Sequence, residues 1–261
     1  STAAWGLGYF GMPHILLRFM AIEDEKKLKL SRRVATIWVV ISLFVAVFIG
    51  VIGYTMSKVG ALEMLTGSNS ETIIVKISAL LSQHGVIFAL LAGVILAGIL
   101  ASTMSTSDSQ LLAASSAVSS DILGAFRKDS SNKNGSMAAA RITLLVISVV
   151  AAFISRNPDS SVFAIVSFAW AGFGAAFGPV VLFSLFWKRT SKWGALAGMV
   201  CGGSMVFIWK YLIRPLGGIW NIYELLPAFL IACAAIVIVS LLTPKPSKEI
   251  EEEFDRVAQM K

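Results

Sequence analysis

Long runs without a charged residue recur along the chain, and short polar segments separate them. Six of these runs approach the roughly twenty residues that a helix needs to cross the hydrocarbon core of a bilayer. They are residues 34–57, 85 to about 107, 142–155, 161–187, 193–209 and 225–243. The third run is short, so we expect its helix to begin earlier, within residues 137–140. The pattern therefore predicts an all-α membrane protein with six spanning helices.

Composition supports this class of protein, and the charge distribution indicates its topology. Hydrophobic residues make up 56% of the chain and charged residues only 14%, against about 25% charged in soluble domains. Lys and Arg are concentrated in alternate connecting segments, which the positive-inside rule assigns to the cytoplasm. These segments are residues 26–33, 127–141 and 188–192, followed by the tail at 244–261. The net charge of +7 therefore indicates membrane orientation with a cytoplasmic C-terminus, and not binding to nucleic acid.

Helix-breaking residues crowd the apolar run with which the chain begins. Gly6, Gly8, Gly11 and Pro13 fall within eight residues, and each weakens a helix. Irregular backbone at membrane depth occurs where it is buried in protein or lines a cavity, and secondary transporters place substrate and ion sites there. The glycines also match a dinucleotide-binding fingerprint, but the flanking strands that it requires are not predicted. Because the apolar run starts directly at Ser1, we expect the chain to be part of a longer protein.

Hydroxyl side chains and one carboxylate lie near membrane depth in the sequence ASTMSTSDSQLL, residues 101–112. If this stretch is helical, Ser102, Ser105 and Ser109 share a face, with Thr106 and Asp108 beside it. Such oxygens could coordinate a small hard cation. Alternatively, the hydroxyls bond to carbonyls of their own helix and allow close helix packing. Spacing alone leaves both interpretations open, and Asp108 favours the first.

Three ordered blocks of the chain resemble the sodium/solute symporter family. They are WGLGYFGMPHILLRFM at residues 5–20, MSTSDSQLL at 104–112 and WAGFGAAFGP at 170–179. The resemblance implies the leucine-transporter-like fold of two inverted repeats, of which this chain carries the second repeat plus two peripheral helices. The implied parts are a broken substrate-site helix at 1–20, the remaining helices of the repeat at 34–187, peripheral helices at 193–243 and a cytoplasmic tail at 244–261. The N-terminal half of the same transporter is then an expected partner.

The resemblance also implies a function and a set of site residues. The function is sodium-coupled symport of L-proline or a similar small solute across the plasma membrane, with Na⁺ as coupling ion and lipids as surroundings. Trp5, Tyr9 and Pro13 match substrate-site positions, although an aromatic membrane-interface belt with a kink would also explain them. The sodium-site positions are matched by the hydroxyls of Ser105 and Thr106 and the carbonyl of Ser102. Ser105, Asp108 and Ser109 match a second sodium site of some members, which have Ser at the position of Asp108.

Other functions stay open within this resemblance. The solute could instead be pantothenate, a sugar, iodide or another amino acid, and the same fold could serve as a membrane sensor. A large cytoplasmic domain after Thr243 would favour the sensor. A channel would need a continuous polar face over a whole span, which residues 85–101 do not offer. We expect no enzymatic activity, because no nucleophile, base and orienting group stand in a recognisable pattern.

Overall fold

The computed structural model describes residues 4–24, 26–122, 133–156 and 161–259, and the regular elements in these ranges are helical. Of the predicted segments, residues 1–3, the basic residues 127–128 and residues 260–261 lie outside the described ones. In chain order the α-helices are α1 (Trp5–Gly8), α2 (Pro13–Met20), α3 (Lys27–Lys58), α4 (Ile73–Ser82), α5 (Val86–Ser116), α6 (Lys133–Ile154), α7 (Val162–Phe186), α8 (Lys192–Ile208), α9 (Leu225–Leu242) and α10 (Lys248–Gln259).

Six helical segments in the described ranges are long and apolar enough to cross a membrane. They are Lys27–Lys58, Val86–Ile122, Met137–Ile154, Val162–Phe186, Lys192–Leu216 and Leu225–Leu242. The prediction of an all-α membrane protein with six spans is confirmed. The earlier start expected for the third span is also found, because its helix already includes residues 137–140.

The chain divides into two compact units. The first consists of Ser1–Ala21 and Phe163–Lys261, and the second of Ile22–Val162. The repeat, peripheral-helix and tail boundaries inferred from the family resemblance stay predictions.

In the first unit, helices α8 and α9 pack closely through glycines. Gly194, Gly198 and Gly202 recur at every fourth residue of α8 and are buried. A methyl group on Gly194 would collide with Ser240, and one on Gly198 with Ile236, both on α9. A methyl group on Gly202 would collide with the backbone of α7. The glycines therefore let the helix axes approach, as their four-residue spacing predicts.

The second unit buries little of its apolar surface within the chain. Helix α4 packs on α3, where a methyl group on Gly53 would collide with Ile73. The Ser115 hydroxyl of α5 donates a hydrogen bond to the Ala140 carbonyl of α6, at 3.0 Å. Yet the most apolar stretches of α3 and α6 have 0% of their residues buried. Helices that are apolar all round require lipid or further protein around them.

Candidate functional site

The helix at the start of the first unit is broken between α1 and α2. A 3-10 turn, Tyr9–Gly11, follows α1, and the backbone of Met12 is extended at φ −84° and ψ 112°. Pro13 is the first residue of α2, a position where its missing N–H costs no intrahelical hydrogen bond. The break thus lies where the glycines and the proline of this run predict it.

Glycines bring this broken helix into backbone contact with α7. A methyl group on Gly174 would lie 2.7 Å from the Gly8 Cα atom. One on Gly11 would lie 2.8 Å from the Gly174 Cα atom and would collide with the Phe173 carbonyl oxygen. Gly6, in contrast, has no atom within 4 Å of the place its methyl group would take. The glycines at 8 and 11 therefore have a packing role that Gly6 does not share.

Trp5 lies in an aromatic cluster that we define as Trp5, Phe163, Trp170 and Tyr223. Its ring centroid is 5.6 Å from that of Phe163, 5.5 Å from that of Trp170 and 6.1 Å from that of Tyr223. The Trp170 indole N–H donates a hydrogen bond of 3.0 Å to the Trp5 carbonyl oxygen. Trp5 is therefore fixed on several sides by residues far away in the sequence.

Tyr9 reaches the same tryptophan but presents more of its surface. Its ring meets Trp170 edge-on with centroids 4.9 Å apart, and the side chain is 51% exposed. Pro13, the third predicted substrate residue, is exposed at the start of α2. The structure thus brings Trp5 and Tyr9 together around Trp170. The central position of Trp170 was missed in the sequence, where the residue is only one member of a family-like block.

The predicted sodium residues all lie on α5 in the second unit, and most of their side chains are exposed. The Thr106 hydroxyl donates to the Ser102 carbonyl at 3.3 Å, and the Ser109 hydroxyl donates to the Ser105 carbonyl at 3.0 Å. The bonding to the helix's own carbonyls that we kept as an alternative therefore occurs at two hydroxyls. A donating hydroxyl keeps its oxygen lone pairs, so it can still be a cation ligand.

Helical geometry separates the members of this set. Ser105 and Ser109 are about 40° apart around the axis, and Asp108 lies about 60° to the other side of Ser105. These three oxygen-bearing side chains share one arc of about 100°. Thr106 lies about 160° from Asp108, almost on the opposite side of the helix. Asp108 and Thr106 could thus bind the same cation only if the helix unwound, whereas Asp108 and Ser105 can bind one cation from the intact helix.

The family model described as the sodium:solute symporter family matches residues 1–202. The chain belongs to this family. The matched range includes both the broken helix and the hydroxyl residues of α5. The resemblance seen in the three sequence blocks is thereby confirmed. No solved structure matches this symporter-family chain.

The symporter-family chain is also similar to several curated proteins. A sodium/proline symporter of Haemophilus influenzae is 41% identical over 258 residues, which cover 98% of this chain and 50% of the relative. One of Salmonella typhimurium is 40% identical over 255 residues, 97% of this chain and 49% of the relative. The osmoregulated proline transporter OpuE of Bacillus subtilis is 40% identical over 248 residues, which cover 95% of this chain and 48% of the relative. The chain therefore spans about half the length of the curated relatives it matches.

Proposed function

We propose that the chain forms the second half of a sodium-coupled symporter that carries L-proline or a similar small solute across the plasma membrane. The observation that carries this proposal is the broken, glycine-packed helix that contains Trp5 and Tyr9, in a chain of this family. Broken helices supply backbone and side-chain groups to solutes in secondary transporters. The similarity to sodium/proline symporters supports Na⁺ as the coupling ion and proline as the solute.

The driving force follows from the charge of the ion. Each Na⁺ that enters gains about 2.3 kcal/mol per 100 mV of membrane potential. Since about 1.4 kcal/mol is a factor of ten, the potential alone can concentrate a neutral solute some tens of times. Na⁺ and solute act on one two-state equilibrium: the ion stabilises an outward-open state, whose solute pocket is thereby completed.

We further propose the leucine-transporter-like arrangement of inverted repeats, with the other half of the transporter as partner. The exposed apolar surfaces of α3, α5 and α6 support this, because they require protein or lipid around them. The exposed hydroxyls of α5 support it too: a dehydrated cation needs more oxygen ligands than Ser105, Thr106 and the Ser102 carbonyl supply. Loops that are rich in Lys and Arg alternate along the chain with loops that are poor in them, and this pattern supports a cytoplasmic C-terminus.

The test of this function is counterflow uptake by the full-length symporter in proteoliposomes. Labelled proline is expected to exchange only when Na⁺ is present, and unlabelled pantothenate, sugars, iodide or other amino acids are expected to compete weakly. Stronger exchange of another solute would replace proline as the substrate. Sodium-independent flux without saturation would indicate a channel, and binding without any flux would indicate a sensor.

Replacing the aromatic side chains tests the substrate assignment. Trp5→Ala and Tyr9→Ala are each expected to weaken proline binding about tenfold, because a lost ring contact costs on the order of 1.5 kcal/mol. Na⁺ binding measured without proline should stay the same. Phe10→Ala is the matched control, since Phe10 is the exposed neighbour of Tyr9 in the same turn. Normal proline binding together with poor membrane insertion of both variants would instead support an interfacial aromatic belt.

Asp108 is proposed to lie on the cytoplasmic release path, where it attracts Na⁺ toward Ser105 and Ser109. Asp108→Asn is expected to raise the Na⁺ concentration for half-maximal uptake two- to fivefold, since an exposed charge interaction contributes about 0.5–1 kcal/mol. Asp108→Ser introduces the residue that the resemblance places here in some family members, and its effect on the Na⁺ concentration should be smaller. Asp121→Asn changes another exposed carboxylate of the same span and serves as control. If all three variants match the unmodified protein at every Na⁺ concentration, Asp108 is only a solvated charge at the helix end.

A further inference from the structure

Tyr223, which precedes α9, is held at both ends of its side chain. Its ring stacks on Trp5 with an interplanar angle of 17° and centroids 6.1 Å apart. Its hydroxyl donates a hydrogen bond of 2.6 Å to the Ser167 carbonyl oxygen of α7. The residue is 8% exposed, so most of its side chain is buried in the protein. Tyr223 thus connects Trp5 to a helix that carries two further members of the aromatic cluster.

A buried ion pair fixes the segment next to Tyr223. Glu224 is 2% exposed, and its carboxylate accepts a hydrogen bond of 2.9 Å from an Arg214 guanidinium nitrogen. The Arg214 Nε donates to the Asn221 side-chain oxygen at 3.1 Å. A buried carboxylate without a partner is strongly unfavourable, so this pair restricts the segment to arrangements in which Glu224 meets Arg214.

A second set of contacts attaches the end of α8 and the segment directly after it to the same part of α7. The Lys210 ammonium lies 3.7 Å from the centroid of the Phe168 ring, in cation–π geometry. Phe168 also meets Phe207 edge-on, with ring centroids 5.3 Å apart. Phe168 directly follows Ser167, which accepts the Tyr223 hydroxyl. The α8–α9 connection is therefore attached to α7 at two places, through Lys210 and through Tyr223.

We infer that Tyr223, supported by the Arg214–Glu224 pair, is a positioning residue that sets the orientation of Trp5 in the substrate site. The inference rests on the proposed function of Trp5 and extends it to a residue outside the broken helix. Tyr223 acts through the ring of Trp5, on which it stacks. The phenol is protonated at physiological pH, and burial together with the adjacent Glu224 carboxylate raises its pKa further above the usual value.

The experiment measures equilibrium binding of proline and of Na⁺ by the full-length symporter, with Tyr223→Leu and Tyr223→Phe. Tyr223→Leu is expected to weaken proline binding about tenfold while Na⁺ binding without proline is unchanged. Tyr223→Phe keeps the ring, so its affinity for proline should fall only two- to threefold. Tyr211→Leu is the matched control, because Tyr211 packs on Phe168 and is largely exposed, and it should bind proline normally.

A double substitution separates positioning from general damage to the protein. In a Trp5→Ala background, Tyr223→Leu and Tyr223→Phe are expected to cause no further loss of proline binding, because the ring on which they act is gone. Two results would overturn the positioning role alone. One is that the Tyr223 substitutions weaken proline binding equally with and without Trp5→Ala. The other is that Tyr223→Leu binds proline normally while Trp5→Ala binds it weakly. Normal proline binding by Trp5→Ala would overturn the substrate site and this inference with it. If Tyr223→Leu does not fold, the smaller losses of Tyr223→Phe decide in the same way.

Discussion

Gly11→Ala is expected to prevent the broken helix from packing on α7, whereas Gly6→Ala is expected to be tolerated. The new methyl group at position 11 would collide with the Phe173 carbonyl oxygen and lie 2.8 Å from the Gly174 Cα atom. These are backbone atoms, which cannot turn aside as a flexible side chain does. We expect the cost to reach or exceed the roughly 1–3 kcal/mol typical of overpacking.

The measurement is the yield and thermal stability of the detergent-solubilised full-length protein. Gly11→Ala should lower both, and Gly6→Ala should match the unmodified protein because its methyl group enters open space. Gly8→Ala is expected to lie between them, since its methyl group would collide with the Trp170 side chain and not with backbone. Equal stability of the variants at 6 and 11 would show that the close approach to α7 is not needed.

Ser105→Ala and Thr106→Ala are each expected to raise the Na⁺ concentration for half-maximal proline uptake at least tenfold. In the sodium site that we propose, removing one of these oxygens would leave the dehydrated cation with fewer ligands, which raises the free energy of the bound ion. Thr106→Ser should stay near the unmodified protein, because it retains the hydroxyl that also bonds to the Ser102 carbonyl.

The measurement is sodium titration of uptake by the full-length symporter in proteoliposomes. Ser107→Ala is the matched control, since Ser107 lies about 160° from Ser105 and about 100° from Thr106 around α5. Sodium dependence that is unchanged in both Ser105→Ala and Thr106→Ala would remove these residues from the ion site.

The spans were predictable because uninterrupted apolar length is what a membrane selects, and that length can be read locally. Their helical ends were less predictable. The first span was placed at residues 34–57, whereas α3 already begins at Lys27. Lys and Arg are good helix formers, so the helix continues through the basic segment that marks the limit of the apolar run. Absence of charge therefore locates the membrane-embedded part and not the helix.

The surroundings of the candidate substrate site could not be predicted in the same way. Trp170 bonds to a carbonyl 165 residues earlier in the chain, and no local pattern indicates such a contact. Glu224 has the sequence context of an ordinary interfacial acid, and its burial becomes understandable only beside Arg214. At the hydroxyl residues of α5, spacing identified the shared face but left the direction of each O–H bond open.

The aromatic cluster also constrains the order of events during biosynthesis. Trp5 is synthesised before its partner Trp170, which follows 165 residues later. At translation rates of about 5–20 residues per second, this delay is on the order of ten to thirty seconds. Tyr223 arrives later still. Throughout that interval the glycine-rich segment at residues 6–11 is in place without the helix on which it finally packs.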